Sequence, residues 1–377
     1  MSDIQSLLTG SRGRRFLLEL ALLLDAESAG SYRIGTLGNA VYEAAHSLDP
    51  NPGVEFVMVA EGTEQVGAVD EVTDGAVVVG TAESVGELLA QIDLLQPTDL
   101  AVQRALSQAV STAYYWQEPD GVDVVCASPP VARGLERVVT LMSGSQVDTQ
   151  WWSGGVLPQN QWSVAWEGEG PITSELTVAE RLRRWRAHQE ALEQPAKRPW
   201  PWSSSDASGE WWSAPSTTGL LSSTGTFPDG SPVGVWLVED ALGWEEGQAR
   251  KLLEVPTGAV HEIHEPEHWA ALCRNYPLDV THAKQADWFR VTGRRGRWVM
   301  PDWERVAQDF TGVHLSLAGY LSAACQEIPV APGVSSVIAG WNPDQTFWFV
   351  DGLELGQKTV WTMHDHGFQG PTWVSRS

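Results

Sequence analysis

The chain has 377 residues, more than one compact domain usually contains, so the sequence predicts two domains or one domain with a large appendage. Hydrophobic residues make up 42% and charged residues 19%, which excludes a chain that is disordered as a whole. The 24 basic and 48 acidic residues leave a net charge of −24, which disfavours bulk binding to nucleic acid or to an anionic membrane.

Cysteine content and hydropathy predict a soluble, cytoplasmic protein without a membrane partner. The three cysteines are far apart in the chain, which argues against a disulfide framework or a cysteine zinc site. Residues 11–30 resemble an export signal, but Glu19 lies inside their apolar run and favours an ordinary amphipathic helix. No other run approaches the ~20 apolar residues of a membrane span.

Residues 1–110 form the first predicted unit, an acidic α/β module without tryptophan. The stretches RRFLLELALLLDA, LGNAVYEAAHSL and SVGELLAQIDLL have the apolar spacing of helices. Between the last two, VEFVMVA and GAVVVG are apolar runs of strand type.

Residues 111–195 are predicted to be a helical segment that contains tryptophan. Its last helix, TVAERLRRWRAHQEALEQ, begins with a capping box formed by Thr177 and Glu180. Residues 196–210 are rich in proline and serine, which predicts a linker or a long surface loop.

Residues 211–377 are predicted to be a strand-rich domain with short helices, so the whole chain belongs to the α+β class. The predicted strands are VGVWLVED, AVHEIH, DWFRVT, RWVMP, GVHLSL, SSVIAGW and QTFWFV. The predicted helices are PEHWAALCRNY, PDWERVAQDF and AGYLSAAC.

A histidine-rich stretch, AVHEIHEPEHW, has the composition of a metal site. Three histidines on one helix face would bind a metal, but Pro266 interrupts that helix and suits the first position of a new one. The residues before it then form a strand, in which His261 and His264 point to opposite faces. The pattern therefore favours a strand-to-helix corner and predicts no metal ligands.

Arginines cluster in DWFRVTGRRGRWVM, which the pattern predicts to be a hairpin. Arg290, Arg294 and Arg295 lie between two tryptophans, and arginine both binds phosphate and stacks on aromatic rings. Nucleotide binding is one interpretation. The other is a solvated hairpin tip paired with neighbouring acids.

A second set of candidates lies in GVHLSL and AGWNPDQTFW. His314 and Ser316 would share one face of a strand, and Asp344 precedes the next strand with Trp341 beside it. A carboxylate there is suited to act as a base or to stabilise a cationic, sugar-like transition state. Alternatively, Asn342-Pro343-Asp344 is a simple turn. The motifs of serine hydrolases, P-loop proteins and dinucleotide-binding folds are absent from the sequence.

The same residues carry two resemblances. The first is to a large family of uncharacterised actinobacterial proteins, which the chain resembles over about residues 110 to 350. The stretches that carry it are WWSAP, LVEDALGW, VHEIHEPEHWAALCRNYPLDVT, WVMPDWERVAQDFTGVHLSLAGYL and AGWNPDQTFW. That family implies no activity.

The order His261, Ser316, Asp344 is similar to that of the ADP-ribosyltransferase superfamily, with aspartate where that superfamily has glutamate. This resemblance implies a split β fold and NAD as cofactor. Asp344 would activate the ribose, assisted by His314 and Ser316. His261, Trp341 and the arginines Arg290, Arg294 and Arg295 would hold the cofactor.

Three functions remain open on the sequence. The first is an intracellular NAD-using transferase or glycohydrolase, in a defence or toxin setting. The second is a non-enzymatic interaction module that binds a protein partner through exposed members of its 20 tryptophans. The third is a metal-dependent hydrolase that uses the histidine-rich end of the chain.

Overall fold

The computed structural model describes residues 3–29, 35–50, 80–115, 117–145, 154–166, 176–194, 209–241, 243–366 and 370–376. Helices and mixed sheets both occur in these ranges, which confirms the predicted α+β class. The strand-type runs VEFVMVA and GAVVVG and most of the predicted linker lie outside the described residues.

Twelve α-helices are described. They are α1 (Ser11–Ala29), α2 (Thr36–Leu48), α3 (Ala82–Gln91), α4 (Asp99–Ser111), α5 (Gly121–Ala127), α6 (Pro129–Ser143), α7 (Val178–Leu192), α8 (Val233–Trp236), α9 (Pro266–Asn275), α10 (Thr281–Thr292), α11 (Trp303–Asp309) and α12 (Leu317–Ala323).

Twelve strands are described as well. They are β1 (Trp162–Trp166), β2 (Ser222–Thr224), β3 (Glu246–Leu252), β4 (Val260–Ile263), β5 (Pro277–Asp279), β6 (Arg297–Pro301), β7 (Gly312–Leu315), β8 (Ile328–Ala331), β9 (Val334–Ser336), β10 (Gln345–Trp348), β11 (Leu355–His364) and β12 (Thr372–Arg376).

The strands form two mixed sheets. The larger has the order β12-β11-β3-β1-β2-β10-β7-β4, and the smaller has the order β5-β6-β9-β8. Most neighbours are antiparallel, but β4 runs parallel to β7, and β6 runs parallel to β9. A parallel pair needs a long crossover connection, and here the connection from β4 to β7 contains α9, the smaller sheet's first strands and α10 and α11.

The N-terminal helices pack around α1. This helix contacts α4, α5 and α6, and it also contacts α12 of the C-terminal part. Its apolar face, which includes Phe16, Leu17, Leu20 and Leu24, is fully buried. Burial of this face against other helices explains why the segment resembles an export signal in its sequence.

Buried charges join α1 to α5. Arg12 binds Asp123, and Nη1 of Arg15 lies 3.0 Å from Asp123 and 3.1 Å from Asp120. Nε of Arg15 is 2.7 Å from Glu19, one turn along α1. Burial opposes ionisation of Asp123, but the two arginines outweigh it and leave the pKa of this carboxyl below its ordinary value.

Tryptophan forms the core of the C-terminal part. Six tryptophans are fully buried there: Trp269, Trp288, Trp298, Trp303, Trp341 and Trp348. Several of these rings meet edge to face, for example those of Trp303 and Trp341 at 5.9 Å between centroids. The aromatic core holds the sheets and the short helices together.

Three predicted elements differ from the structure. The prediction of a strand at DWFRVT is wrong, because these residues form the end of helix α10. Gly293 directly follows this helix and takes the left-handed conformation. VGVWLVED is also wrong as a strand, since its first residues form the buried helix α8. A short apolar run does not distinguish the two structures by periodicity. Finally, the segment 111–195 is not only helical, because it contributes β1 to the larger sheet.

Several predicted boundaries agree with the structure. Pro266 is the first residue of α9, as the sequence predicts, and Thr177 and Glu180 form both hydrogen bonds of the capping box at α7. The bounds of the four predicted units stay a prediction. Within the described ranges, no helix combines the length and apolarity that crossing a membrane requires.

We expect Asp123→Asn to lower the free energy of unfolding by about 3–5 kcal/mol, because it leaves two buried guanidinium groups without their shared carboxylate. Urea denaturation followed by tryptophan fluorescence measures the change. Asp93→Asn, at an exposed acid, is the matched control and should change stability little. Equal effects of the two substitutions would contradict the prediction.

Candidate functional site

Three neighbouring strands bring together residues that are far apart in the chain. In the parallel pair of β4 and β7, Glu262 lies beside His314, and in the antiparallel pair of β7 and β10, His314 lies beside Thr346. Asp344 directly precedes β10 and is two residues before Thr346, so it reaches the same face diagonally. We call Glu262, His314 and Asp344 the charged triad.

The triad is tied together through both ring nitrogens of the histidine. His314 Nδ1 lies 2.5 Å from Glu262 Oε2, and His314 Nε2 lies 3.3 Å from Asp344 Oδ1. An imidazole that faces a carboxylate at each nitrogen donates at both only when it is protonated. The contacts therefore fit an imidazolium held between two carboxylates.

Backbone amides complete the binding of both carboxylates. Glu262 Oε1 accepts a hydrogen bond from the Val156 amide at 3.1 Å, and Asp344 Oδ2 accepts one from the Gly225 amide at 2.7 Å. Glycine allows these close approaches, because a Cβ on Gly155 would lie 2.9 Å from Glu262 Oε1, and one on Gly225 would lie 3.0 Å from Asp344 Oδ2. The two backbone amides thus hold both carboxylates in place.

The surroundings raise the pKa of His314 and lower the pKa of Glu262. Burial lowers the pKa of His314, but hydrogen bonds and charges from Asp344 and Glu262 outweigh it and raise this pKa to about 9. Burial raises the pKa of Glu262, but the hydrogen bond and charge of His314 reverse this, and the pKa lies below its ordinary value.

Asp344 lies at the wall of a small cleft. The backbone of Asp344 is in the left-handed region, with φ of 58°, which is unusual for a residue other than glycine and is often found at functional sites. Gly154, Gly155 and Gly225 also line the cleft. Its open space is about 30 Å³, which holds one or two water molecules but no nicotinamide ring.

Two sequence candidates meet here, and one site residue was missed. The structure brings His314 and Asp344 together, while Glu262 was not among the candidates. Glu262 is an acid within a predicted strand, which is a weak signal for a role inside the fold. Only the register of β4 against β7 places it beside His314.

Two other candidates lie near the triad but outside it. The Ser316 hydroxyl donates to the Ile263 carbonyl at 3.1 Å and accepts from the Gly319 amide at 3.1 Å, so this serine caps α12. His261 is beside Val313 in the register and therefore lies on the opposite face from Glu262. Its ring packs against Phe310, with 5.2 Å between centroids.

The residues expected to hold a cofactor do not line the cleft. Trp341 is fully buried in the aromatic core and donates from its indole nitrogen to the Gln345 carbonyl at 3.0 Å. Arg290 lies 3.6 Å from Asp287, and Arg294 lies 2.7 Å from Glu327. Arg295 stacks on Phe289 at 4.6 Å from the ring centroid.

Acidic and histidine side chains in the described part of the chain form no group that could hold a metal ion. A fixed carboxylate beside a charged imidazolium can stabilise positive charge that develops on a bound molecule, or it can orient a water molecule.

Stability should depend on pH through His314. The pKa of His314 is raised from 6.5 to about 9 by folding, so its stabilising contribution is complete below pH 6.5 and is lost as the pH rises through 9. The shift corresponds to about 3 kcal/mol. Denaturant unfolding from pH 6 to pH 10 should show this loss in the unchanged protein and not in His314→Gln. The exposed His46→Gln is the control, and a pH profile of His314→Gln parallel to the unchanged one would refute the assignment.

Ser316→Ala should lower the free energy of unfolding by about 1–2 kcal/mol, because it removes a helix cap and a buried hydrogen bond. Thermal unfolding followed by circular dichroism measures the effect. The titration of His314, followed by NMR of its ring protons, should stay unchanged. A displaced His314 titration would place Ser316 in the triad's network after all.

Comparisons with models of protein families, with curated proteins and with solved structures found no match to this chain. The resemblances to an actinobacterial family and to ADP-ribosyltransferases therefore stay predictions. The geometry of the charged triad and its cleft is the observation from which a function can be argued.

Proposed function

We propose that the charged triad is the reaction centre of a glycohydrolase that cleaves the N-glycosidic bond of NAD. In this role the Asp344 carboxylate stabilises the positive charge that develops on the ribose carbon as nicotinamide leaves. His314 and Glu262 are positioning residues that hold Asp344 in place. The observation that carries the proposal is the Asp344 carboxylate at the cleft wall, held by His314 Nε2 and the Gly225 amide.

Two features of the cleft support this proposal. The cleft beside Asp344 has room for the attacking water, with about 30 Å³ of open space. Its glycines at 154, 155 and 225 leave backbone without side chains next to the carboxylate, as close approach of a ligand requires. Binding of the dinucleotide requires this cleft to widen, since its present volume admits water alone.

The roles that the sequence suggested for His261, Ser316 and Trp341 are not part of the proposal. Ser316 is a helix cap, His261 is on the other face of β4, and Trp341 belongs to the aromatic core. The arginines of α10 and the following turn do not line the cleft. A cofactor role for them would need a binding mode outside this cleft.

The described tryptophans do not favour the interaction-module hypothesis. Fifteen of the 20 tryptophans lie in described ranges, and each of them is buried or half-buried. Even the doublet Trp211 and Trp212 stacks internally, with 4.2 Å between ring centroids, and Trp211 packs on the core. The tryptophans at 116, 151, 152, 200 and 202 lie outside the described residues, so for them the hypothesis stays a prediction.

The proposal predicts that purified protein releases nicotinamide from NAD, and that Asp344→Asn lowers the rate about 100-fold to 1,000-fold because it removes the stabilising anion. Liquid chromatography of the reaction mixture measures the release. Ser316→Ala and Asp93→Asn should both retain it, since neither substitution alters the cleft wall.

The measurement needs a second readout so that a negative result is decisive. NAD that binds the folded protein should raise its melting temperature. Absence of both nicotinamide release and a melting shift in the unchanged protein would overturn the proposal. Full activity of Asp344→Asn would also overturn it.

A further inference from the structure

A second cavity, far larger than the cleft, lies where the N-terminal helices meet the C-terminal part. It is bounded by the start of α1, by α5 and the residues before it, by the end of α10 and by residues 325–327. Its volume is about 300 Å³, at the lower end of the range for sites that bind small molecules. We call it the interface cavity.

The acids that line the interface cavity already have cationic partners. Asp123 binds Arg12 and Arg15, and Glu327 lies 2.7 Å from Arg294. Glu327 also accepts a hydrogen bond from the Ser335 hydroxyl at 2.6 Å. These carboxylates are therefore not available to neutralise a further cation.

Arg14 also lines the interface cavity, and it is a cation without such an ion pair among the described residues. Its Nη1 donates to the carbonyls of Leu8 and Thr9, at 2.9 and 3.2 Å, and among the described residues no carboxylate lies within ion-pair distance of its guanidinium. Its Nε is buried and has no hydrogen-bond partner among the described residues. A half-buried guanidinium without an ion-pair partner is costly, and burial lowers the pKa of Arg14 although the charge of Asp123 opposes this shift.

We propose that the interface cavity binds a small organic anion through Arg14. A guanidinium forms strong, charge-assisted hydrogen bonds with a carboxylate. Thr292 and Gln326 line the same cavity, and Val124, Ala127 and Val291 supply apolar wall. This lining fits a molecule that has one anionic group and a short apolar body.

Two observations near the cavity agree with a built, non-covalent site. Cys325, which lines it, has φ of 56°, a strained conformation that is often retained at ligand sites. Burial raises the pKa of the Cys325 thiol, so the thiol stays protonated and is not a nucleophile at neutral pH. With a net charge of −24, the protein repels anions in general, so specific binding of one needs a local cation such as Arg14.

The test compares two molecules of nearly the same shape, benzoate and benzamide, in titration calorimetry with the full chain. Benzoate should bind and neutral benzamide should not. Inorganic phosphate is the third probe. Phosphate binding without benzoate binding would overturn the proposal, because it would show a site for a small inorganic anion only.

Variants of Arg14 assign the binding to the cavity. Arg14→Gln should weaken benzoate binding about tenfold to 100-fold, because a charge-assisted hydrogen bond is lost. The matched control is Arg133→Gln, which removes one exposed positive charge from α6 and should leave binding unchanged. Arg14→Lys keeps the charge but changes the geometry of the donors, and it should give an intermediate affinity.

The result stays decisive if Arg14→Gln does not fold. In that case the unchanged protein and Arg14→Lys still give the comparison between benzoate and benzamide. Equal affinities of the unchanged protein for the two molecules, no binding of benzoate, or full binding of benzoate by Arg14→Gln would each overturn the proposal.

Discussion

Burial of the charged His314 ring is the constraint around which the larger sheet is arranged. An imidazolium removed from water is unfavourable unless carboxylates replace the lost solvation. Glu262 and Asp344 do so from two different neighbours of β7, and each is held in turn by a backbone amide. The ion cluster therefore ties β4, β7, β10, the residue after β2 and the loop before β1 to one point.

Of the two carboxylates, that of Asp344 belongs to a residue that also lines the cleft. A residue that served packing alone could be fully enclosed, but Asp344 reaches the cleft wall in a strained backbone conformation. Strain of about 1–3 kcal/mol persists only where surrounding contacts hold it in place, and here the Gly225 amide and His314 do so. A rigid anion beside space for water is the arrangement that charge stabilisation requires.

The N-terminal helices depend on a second buried ion cluster of a different kind. Arg12 and Arg15 lie on α1 and share Asp123 of α5, and their burial is compensated within the helical layer. Arg14, on the same turn of the helix, has no carboxylate within ion-pair distance among the described residues, and it lines the interface cavity as Arg12 does. Arg14 thus differs in its partners from Arg12 and Arg15, because the helix directs its side chain to different surroundings.

The sequence by itself determined local structure wherever one residue type dictates the backbone. Pro266 predicted the corner between β4 and α9, Thr177 and Glu180 predicted the start of α7, and the pattern of predicted helices and strands gave the α+β class. It also predicted His314 and Asp344 as candidates, because the histidine lay within a predicted strand and the acid directly preceded the next one.

Only the tertiary structure decided which residues act together. Short apolar runs such as VGVWLVED allow helix or strand, and packing selected the helix α8. Strand register placed Glu262 beside His314 and turned His261 to the other face, since a shift of one residue exchanges the two faces of a strand. This pairing joins Glu262 and His314, which are 52 residues apart in the chain, and periodicity within one segment carries no information about it.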